Sequence, residues 1–515
     1  MQRLTSSFLL SASLCAAAAA CNADRPTAVE SPTTALASGV VTPAGFVTSQ
    51  PAQAEALVPG ASVKAIISTG DIIPGTAEAW HPIPDGLGAY LENGSLFLFA
   101  NHELSSSGVK SSNGGPTIAY ARVSKLEIDP LAVSVLGGSY VENGSSQLQR
   151  LCSASWVDGG EGFPSGYFLT GEESSPTASG SIVSAFSKSG VRTPLPWLGS
   201  FSHENQIAVP GFPGKVVSIG LDDTIGASEL YMYVAADETA FLQGTGKLYV
   251  FKTDRKTAAG TNLHSGNMTQ GQTIPGSFVE IADPADLGSP VANRFANLQA
   301  KVDALGAMPF VRIEDGDYDK NSPNTPAIYF VDTGTRGVTG RAQVNASCNG
   351  ICDLAGSLYR MEFNSVDPTK GVKLKLMLRS QGASTGFASP DNIATTARSI
   401  MIQEDPAYDG FDGTRAPAIW NLQLANDGRN AVQPRKVVQT TQETLIPGPA
   451  GQCIDALGQC WETSGIISTA STLGPETWLF VVQAHTLPWL SAANGGTSSY
   501  GNEGGQLLYL KVRGS

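Results

Sequence analysis

The sequence predicts an all-β chain folded as a six-bladed β-propeller with loop insertions, and three observations carry that expectation. The 515 residues include 57 Gly and 31 Pro but only 15% charged residues, a composition that favours turns over long helices. Most apolar runs are short, roughly four to eight residues, rich in Val, Ile, Tyr and Phe and bounded by Gly, Pro, Asn and Asp, which is the pattern of strands. Those runs recur as one unit that can be aligned six times along the chain.

The N-terminal segment sets the compartment. Arg3 precedes an apolar, small-residue stretch from Phe8 to Ala20 that is too short to span a bilayer, so residues 1–20 read as a secretory signal peptide. Ala18-Ala19-Ala20-Cys21 also allows a lipid on Cys21, the only membrane attachment expected. Residues 21–60 are rich in Ala, Thr, Ser and Pro and read as a disordered linker, leaving 61–515 as the propeller domain. The expected location is extracytoplasmic: periplasmic, outer-membrane lipoprotein or secreted.

Each unit opens on a potential ligand: Asp85 in PDGLG, Cys152 in LCSAS, Glu204 in SHENQIAV, Glu314 in VRIED, Asp391 in SPDNIA and Glu462 in WETSGI. A strand ending on polar residues follows: Leu96 to Glu103, Gly166 to Glu173, Lys215 to Asp223, Ala327 to Asp332, Ser399 to Asp405 and Thr477 to His485. A further amphipathic strand comes next in every case, as in Tyr120 to Asp129 or Ser357 to Phe363. The openings are 67, 52, 110, 77 and 71 residues apart, long for minimal blades and compatible with insertions. The longest gap holds the one fair helical pattern, Val291 to Leu305. In a propeller the innermost strands line one channel, so their like ends converge.

That convergence turns scattered acids into a site. Glu103, Glu172, Glu173, Glu204, Asp222, Asp223 and Glu314 supply oxygen ligands that suit calcium, and Asp391 and Glu462 open two further units. Taken singly, each acid reads first as a solvated turn former. Cysteine usage adds a softer donor. Cys348 with Cys352, and Cys453 with Cys460, can each close a small loop in an oxidising compartment, which leaves Cys152 unpaired. A thiolate among carboxylates calls for iron or a similar ion beside the hard ones, whereas alone Cys152 reads as apolar filler. Asp315-Gly316-Asp317-Tyr318-Asp319 has the alternating acids of an accessory calcium loop without the terminal Glu. The net charge of −13 offers no basic footprint for nucleic acid. A helical zinc motif, a phosphate loop and a dinucleotide fingerprint are all missing.

Taken in order, PDGLG, FANHE, Cys152, FLTGEE, FSHEN, Asp222-Asp223, VRIED, FASPDNIA, WETSG and FVVQAH resemble the PhoX alkaline phosphatases, secreted bacterial phosphomonoesterases with a six-bladed propeller and an iron and calcium cluster. The resemblance runs from about residue 70 to residue 512. It implies that Cys152 bridges two ferric ions, that Glu173, Glu204, Asp222 and neighbouring carboxylates hold iron and calcium, and that a metal-bound oxygen attacks phosphorus. It further implies catalytic roles for Arg312 and Glu314, with Arg312 gripping phosphate; the plainer reading of Arg312 is a surface ion pair with Asp315 or Asp317. The chain departs from the family pattern in lacking a twin-arginine signal, in Ile313 and Asp315 around Arg312 and Glu314, in Gly171 where Cys is common, and in Thr486 after His485.

The expected function is a metal-dependent phosphomonoesterase acting as a monomer on small extracytoplasmic phosphate esters, with calcium and iron as cofactors. Two alternatives stand beside it. One is another calcium-dependent propeller hydrolase acting on a lactone, phosphodiester or phosphotriester; the other is a non-enzymatic binding propeller braced by metals.

Overall fold

A computed structural model describes residues 45–512 apart from 112–116, 175, 226–227, 323–324, 335–352, 354, 381, 383–385, 407–414, 426–433, 446–459 and 486–501. The proposed signal, Cys21, Cys348, Cys352, Cys453 and Thr486 lie outside the described residues. Cys460 is disulfide-bonded, and Cys152 is a free, buried thiol.

The architecture is all-β and propeller-like. Strands form where sequence alternation expects them. Ser95–His102 pairs with Pro84–Glu92 through an Asn93-Gly94 turn in which both residues take positive φ, 52° and 85°, the geometry that matches the twist of a hairpin. Leu96, Leu98 and Phe99 are fully buried because the strand is covered on both faces. The helix in the longest gap spans Val291–Leu305, as its periodicity predicts, and packs Leu298 and Val302 into a neighbouring core. No helix among the described residues is long and apolar enough to cross a membrane.

Hydrogen bonding delimits five sheets, of five, four, nine, six and four strands. The nine-stranded sheet merges the third and fourth sequence units, because Thr273–Glu280 at the outer edge of one pairs with Val372–Arg379 of the other. Each unit begins on an inner strand: Pro84–Glu92, Leu151–Val157, His203–Ala208, Ile313–Tyr318, Pro390–Thr395 or Glu462–Ser468. These inner strands touch one another in sequence order, and the last touches the first, so they form a closed ring. Closure is sealed by the chain ends: Ala61–Ser68 runs antiparallel to Asn502–Val512, from Ala61 opposite Val512 to Ser68 opposite Gln506. A ring sealed this way leaves no sheet burying one face alone.

The packed body begins earlier than residue 61. Phe46 bridges to Val135, Ala54–Ala56 adds a strand to Arg435–Thr440, and the Gln53 backbone N–H donates to Gln506 Oε1 at 2.8 Å. Residues 45–60 thus belong to the folded body, since backbone pairing, invisible in their Ala- and Pro-rich composition, anchors them.

Candidate metal centre at one end of the ring

The inner strands share an irregularity at the same end. Pairing with the second strand slips between Pro84 and Leu87, between His203 and Gln206, between Ile313 and Gly316, between Pro390 and Ile393, and between Ser464 and Ile466; opposite Leu151–Val157 it slips between Thr170 and Glu172. A bulge bends its strand and re-aims a side chain. Here bulges lie at or beside Asp85, Cys152, Glu204, Glu314 and Asp391, and just beyond Glu462. Ile83, Arg150, Arg312 and Ser389, each two residues ahead of such a side chain, have φ of 43°, 48°, 59° and 47°. For these residues that conformation costs about 1–3 kcal/mol each and persists only where surroundings impose it.

One backbone hydrogen bond recurs at these positions. The amide of the residue just after the second strand donates to the carbonyl of the residue two before the inner ligand: Glu103 to Ile83, Glu173 to Arg150, Asp223 to Ser202, Thr333 to Arg312 and Asp405 to Ser389, at 2.9–3.0 Å. In two units the clamp sets two side chains side by side, Asp85 with Glu103 and Cys152 with Glu173. The inner strands crowd at this level, where a Cβ on Gly86 would lie 2.4 Å from Cys152 O and one on Gly465 2.3 Å from Asp85 O.

The result is a buried cluster of acids around a thiol. Ligand atoms of Asp85, Glu103 and Cys152, of Cys152, Glu173 and Glu204, and of Glu204, Glu314 and Asp391 each lie within 4.8 Å of one another. Cys152 donates its thiol to Glu173 Oε2 at 2.8 Å, and Gln483 donates to Glu103 at 2.9 Å and Asp85 at 3.2 Å. Arg312, buried, donates to Asp223 at 2.5 Å and lies 3.0 Å from Glu314. It therefore does not pair on the surface with Asp315 or Asp317; the clamp turns it inward. Arg150 bridges Glu103 at 2.7 Å and Glu173 at 2.5 Å.

Burial, and then the neighbouring carboxylates, raise the pKa values of most of this cluster. Asp85 is pushed well up by burial, then by Glu103 and Glu462. Glu204, Glu314 and Asp391 are pushed up in the same way, as is Asp223 against the pull of Arg312. Glu462 rises to about 8 through burial and Asp405. The Cys152 thiol rises through burial and through Glu103, Glu173 and Glu204. Glu173 is the exception: burial would raise it, but Arg150, hydrogen bonds from Asp223 and Cys152, and Arg312 hold it at about 2.

Two residues expected as ligands sit elsewhere. Glu172 accepts from Gln149 N, Ile182 N, Thr177 Oγ1 and Ser179 Oγ, and Asp222 accepts from Thr224 N, Thr224 Oγ1 and Glu229 N. Strand alternation places them on the far side from Glu173 and Asp223, where they tie down the turns that follow. The histidines beside candidate ligands are core residues: His102 bonds Ser124 and Pro82 O, and His203 bonds Gly199 O, with burial lowering both to about 3. The acids of the accessory loop scatter, with Asp317 taken by Lys320 and Thr395 and Asp319 by Arg360. Glu462 stands at the rim, 3.7 Å from His485, which in turn lies 2.8 Å from Glu503. Sequence reasoning missed Arg150 and Gln483 as members of the cluster, and it did not pick Asp405, whose place after Glu404 parallels that of Glu173 after Glu172.

Comparison with known proteins matches a family and several solved structures. Residues 183–459 match the model of a family described as Alkaline phosphatase PhoX. No curated protein matches the chain. Among solved structures, PhoX from Pseudomonas fluorescens in complex with vanadate, a transition state analogue, aligns with a TM-score of 0.58 at 14% identity, over 91% of this chain and 98% of that one. A protein of unknown function from Dyadobacter fermentans aligns at 9% identity and TM-score 0.42, over 88% and 100%. A GH43_1 enzyme from Xanthomonas citri complexed with xylotriose aligns at 9% identity and TM-score 0.33, over 83% and 88%.

Proposed function

The chain belongs to the PhoX alkaline phosphatase family, and from that premise we propose that it releases phosphate from small phosphomonoesters outside the cytoplasm, at a calcium and iron centre held by the acid and thiol cluster of a six-bladed ring. The nine-stranded sheet counts as two blades in this reading, since it carries two inner strands.

The observation that carries the proposal is the cluster's charge. Asp85, Glu204, Glu314, Asp391 and Asp223 are buried acids, of which Arg312 pairs with Asp223 and Glu314 while Arg150 pairs with the neighbouring Glu103 and Glu173, and Asp223 Oδ1 is buried without a hydrogen-bond partner. Burying so many carboxylates without further cations is costly. Burial raises the pKa of such groups, so that they take up protons when no cation is near, whereas bound metal ions offset the penalty. The oxygen donors Asp85, Glu103, Glu204, Asp223, Glu314 and Asp391 suit calcium, and Cys152 beside Glu173 suits iron. Such ions neutralise a phosphate dianion, activate water and stabilise charge in the transition state.

The chain's own groups do the rest. Arg312 presents a planar fork to phosphoryl oxygens, and Asp223 and Glu314 fix its orientation. Gln483 keeps Asp85 and Glu103 side by side. Asn392 ties the inner strands together, donating to Ser153 Oγ at 2.9 Å and accepting from Gly465 N at 2.8 Å.

The test compares a chromogenic phosphomonoester with a diester and a lactone, using metal-replete protein. Preference for the monoester supports the proposal. Preference for either other ester assigns the site to a different hydrolase, and no hydrolysis of any leaves a metal-braced binding protein.

A further inference from the structure

We infer that Arg150 is a second arginine of the phosphate site, the one that meets the ester at the mouth; the inference rests on the phosphatase reading above. Arg150 lies two residues ahead of Cys152, in the left-handed conformation. Its guanidinium spans two units, touching Glu103 from one and Glu173 from the next.

Exposure separates the two arginines. The Arg150 side chain is 41% exposed, above Glu103 at 12% and Glu173 at 9%, whereas Arg312 is 4% exposed. A phosphate approaching from solvent therefore meets Arg150 first, and a positive group placed there steers anions into an otherwise acidic mouth. Stability gives little reason for an arginine in this position, because half-exposed ion pairs contribute little. A phosphomonoester dianion also presents three terminal oxygens, more than the single fork of Arg312 can engage. Glu103 and Glu173 keep the Arg150 head over the cluster in the meantime, so it acts as a binding residue for the phosphoryl group.

The test uses the metal-replete full chain as Arg150→Ala and Arg150→Lys. Arg150→Ala should weaken the binding of inorganic phosphate, measured by calorimetry, and raise KM for a phosphomonoester, each by about tenfold or more, with kcat changed less. Metal content and melting temperature should match the parent, and Arg150→Lys should recover part of the binding. Parental phosphate affinity in Arg150→Ala would overturn the inference. So would a loss of metal that accounts for the weaker binding, since Arg150 would then only brace the cluster. A parent that binds phosphate through Arg150 yet turns over no ester would keep this assignment while refuting the phosphatase reading.

Discussion

Cys152 Sγ and Glu173 Oε2 meet at 2.8 Å, one from an inner strand and the other from just past its hairpin partner, and the same carboxylate oxygen receives Arg150. Glu173 is thus the hub on which thiol and guanidinium converge. If this thiol is the soft donor of the centre, Cys152→Ala should lose its iron while keeping its fold. The drop in iron affinity should exceed the ~10–100-fold typical of changes one shell further out. Elemental analysis of the purified variant checks this, and full iron occupancy would return Cys152 to the role of buried filler.

Neighbouring acids should behave oppositely. Glu172 anchors a turn, so Glu172→Gln should cost about 1–3 kcal/mol through acceptor positions lost to buried donors, with metal content kept. Glu173→Gln should lose metal and activity with a smaller effect on unfolding in denaturant. Equal metal loss in both would mean that the alternation between them has been misread.

The deep arginine makes a separate prediction. Arg312→Ala should lower kcat/KM by roughly 100-fold, equivalent to about 3 kcal/mol of lost transition-state stabilisation. Arg312→Lys should recover little, because a point charge cannot reproduce a two-pronged fork. Parental kcat/KM in the alanine variant would exclude Arg312 from the reaction.

Metal-stripped protein should lose stability as pH rises. Asp85, Glu204, Glu314, Asp391 and Glu462 have folded-state pKa values above the ordinary carboxylate range, so the folded state binds more protons than the unfolded one. Their contribution is full below about pH 4 and is lost as pH climbs through the folded values, to about 8 for Glu462. Glu173, held at about 2, acts in the opposite direction and only in acid. The melting temperature of stripped protein should therefore be higher at pH 5.5 than at pH 8.5, and metal should remove most of the difference. A stripped protein that is more stable at pH 8.5 would contradict this account of the charges.

Much of this was legible from residue order. Short alternating runs marked the strands, and period 3.6 marked Val291–Leu305, because both patterns are local. Cys152, Glu204, Glu314 and Asp391 were legible because they open inner strands. The choice within Glu172-Glu173 and Asp222-Asp223 was not, since it depends on a bulge that shifts strand parity. Arg150 bridging to Glu103, and Gln483 reaching Asp85, join residues from different units, and no local pattern announces such contacts. Nor did composition reveal that residues 45–60 are held by backbone pairing to distant strands.

The most direct test of the central claim is phosphomonoester turnover by protein stripped with a chelator and then titrated with calcium and iron, followed together with bound metal. The account predicts that turnover vanishes on stripping and returns in proportion to iron and calcium bound together, with calcium alone restoring thermal stability more than activity. Undiminished turnover in protein verified as metal-free, or none in protein carrying both metals, would contradict it.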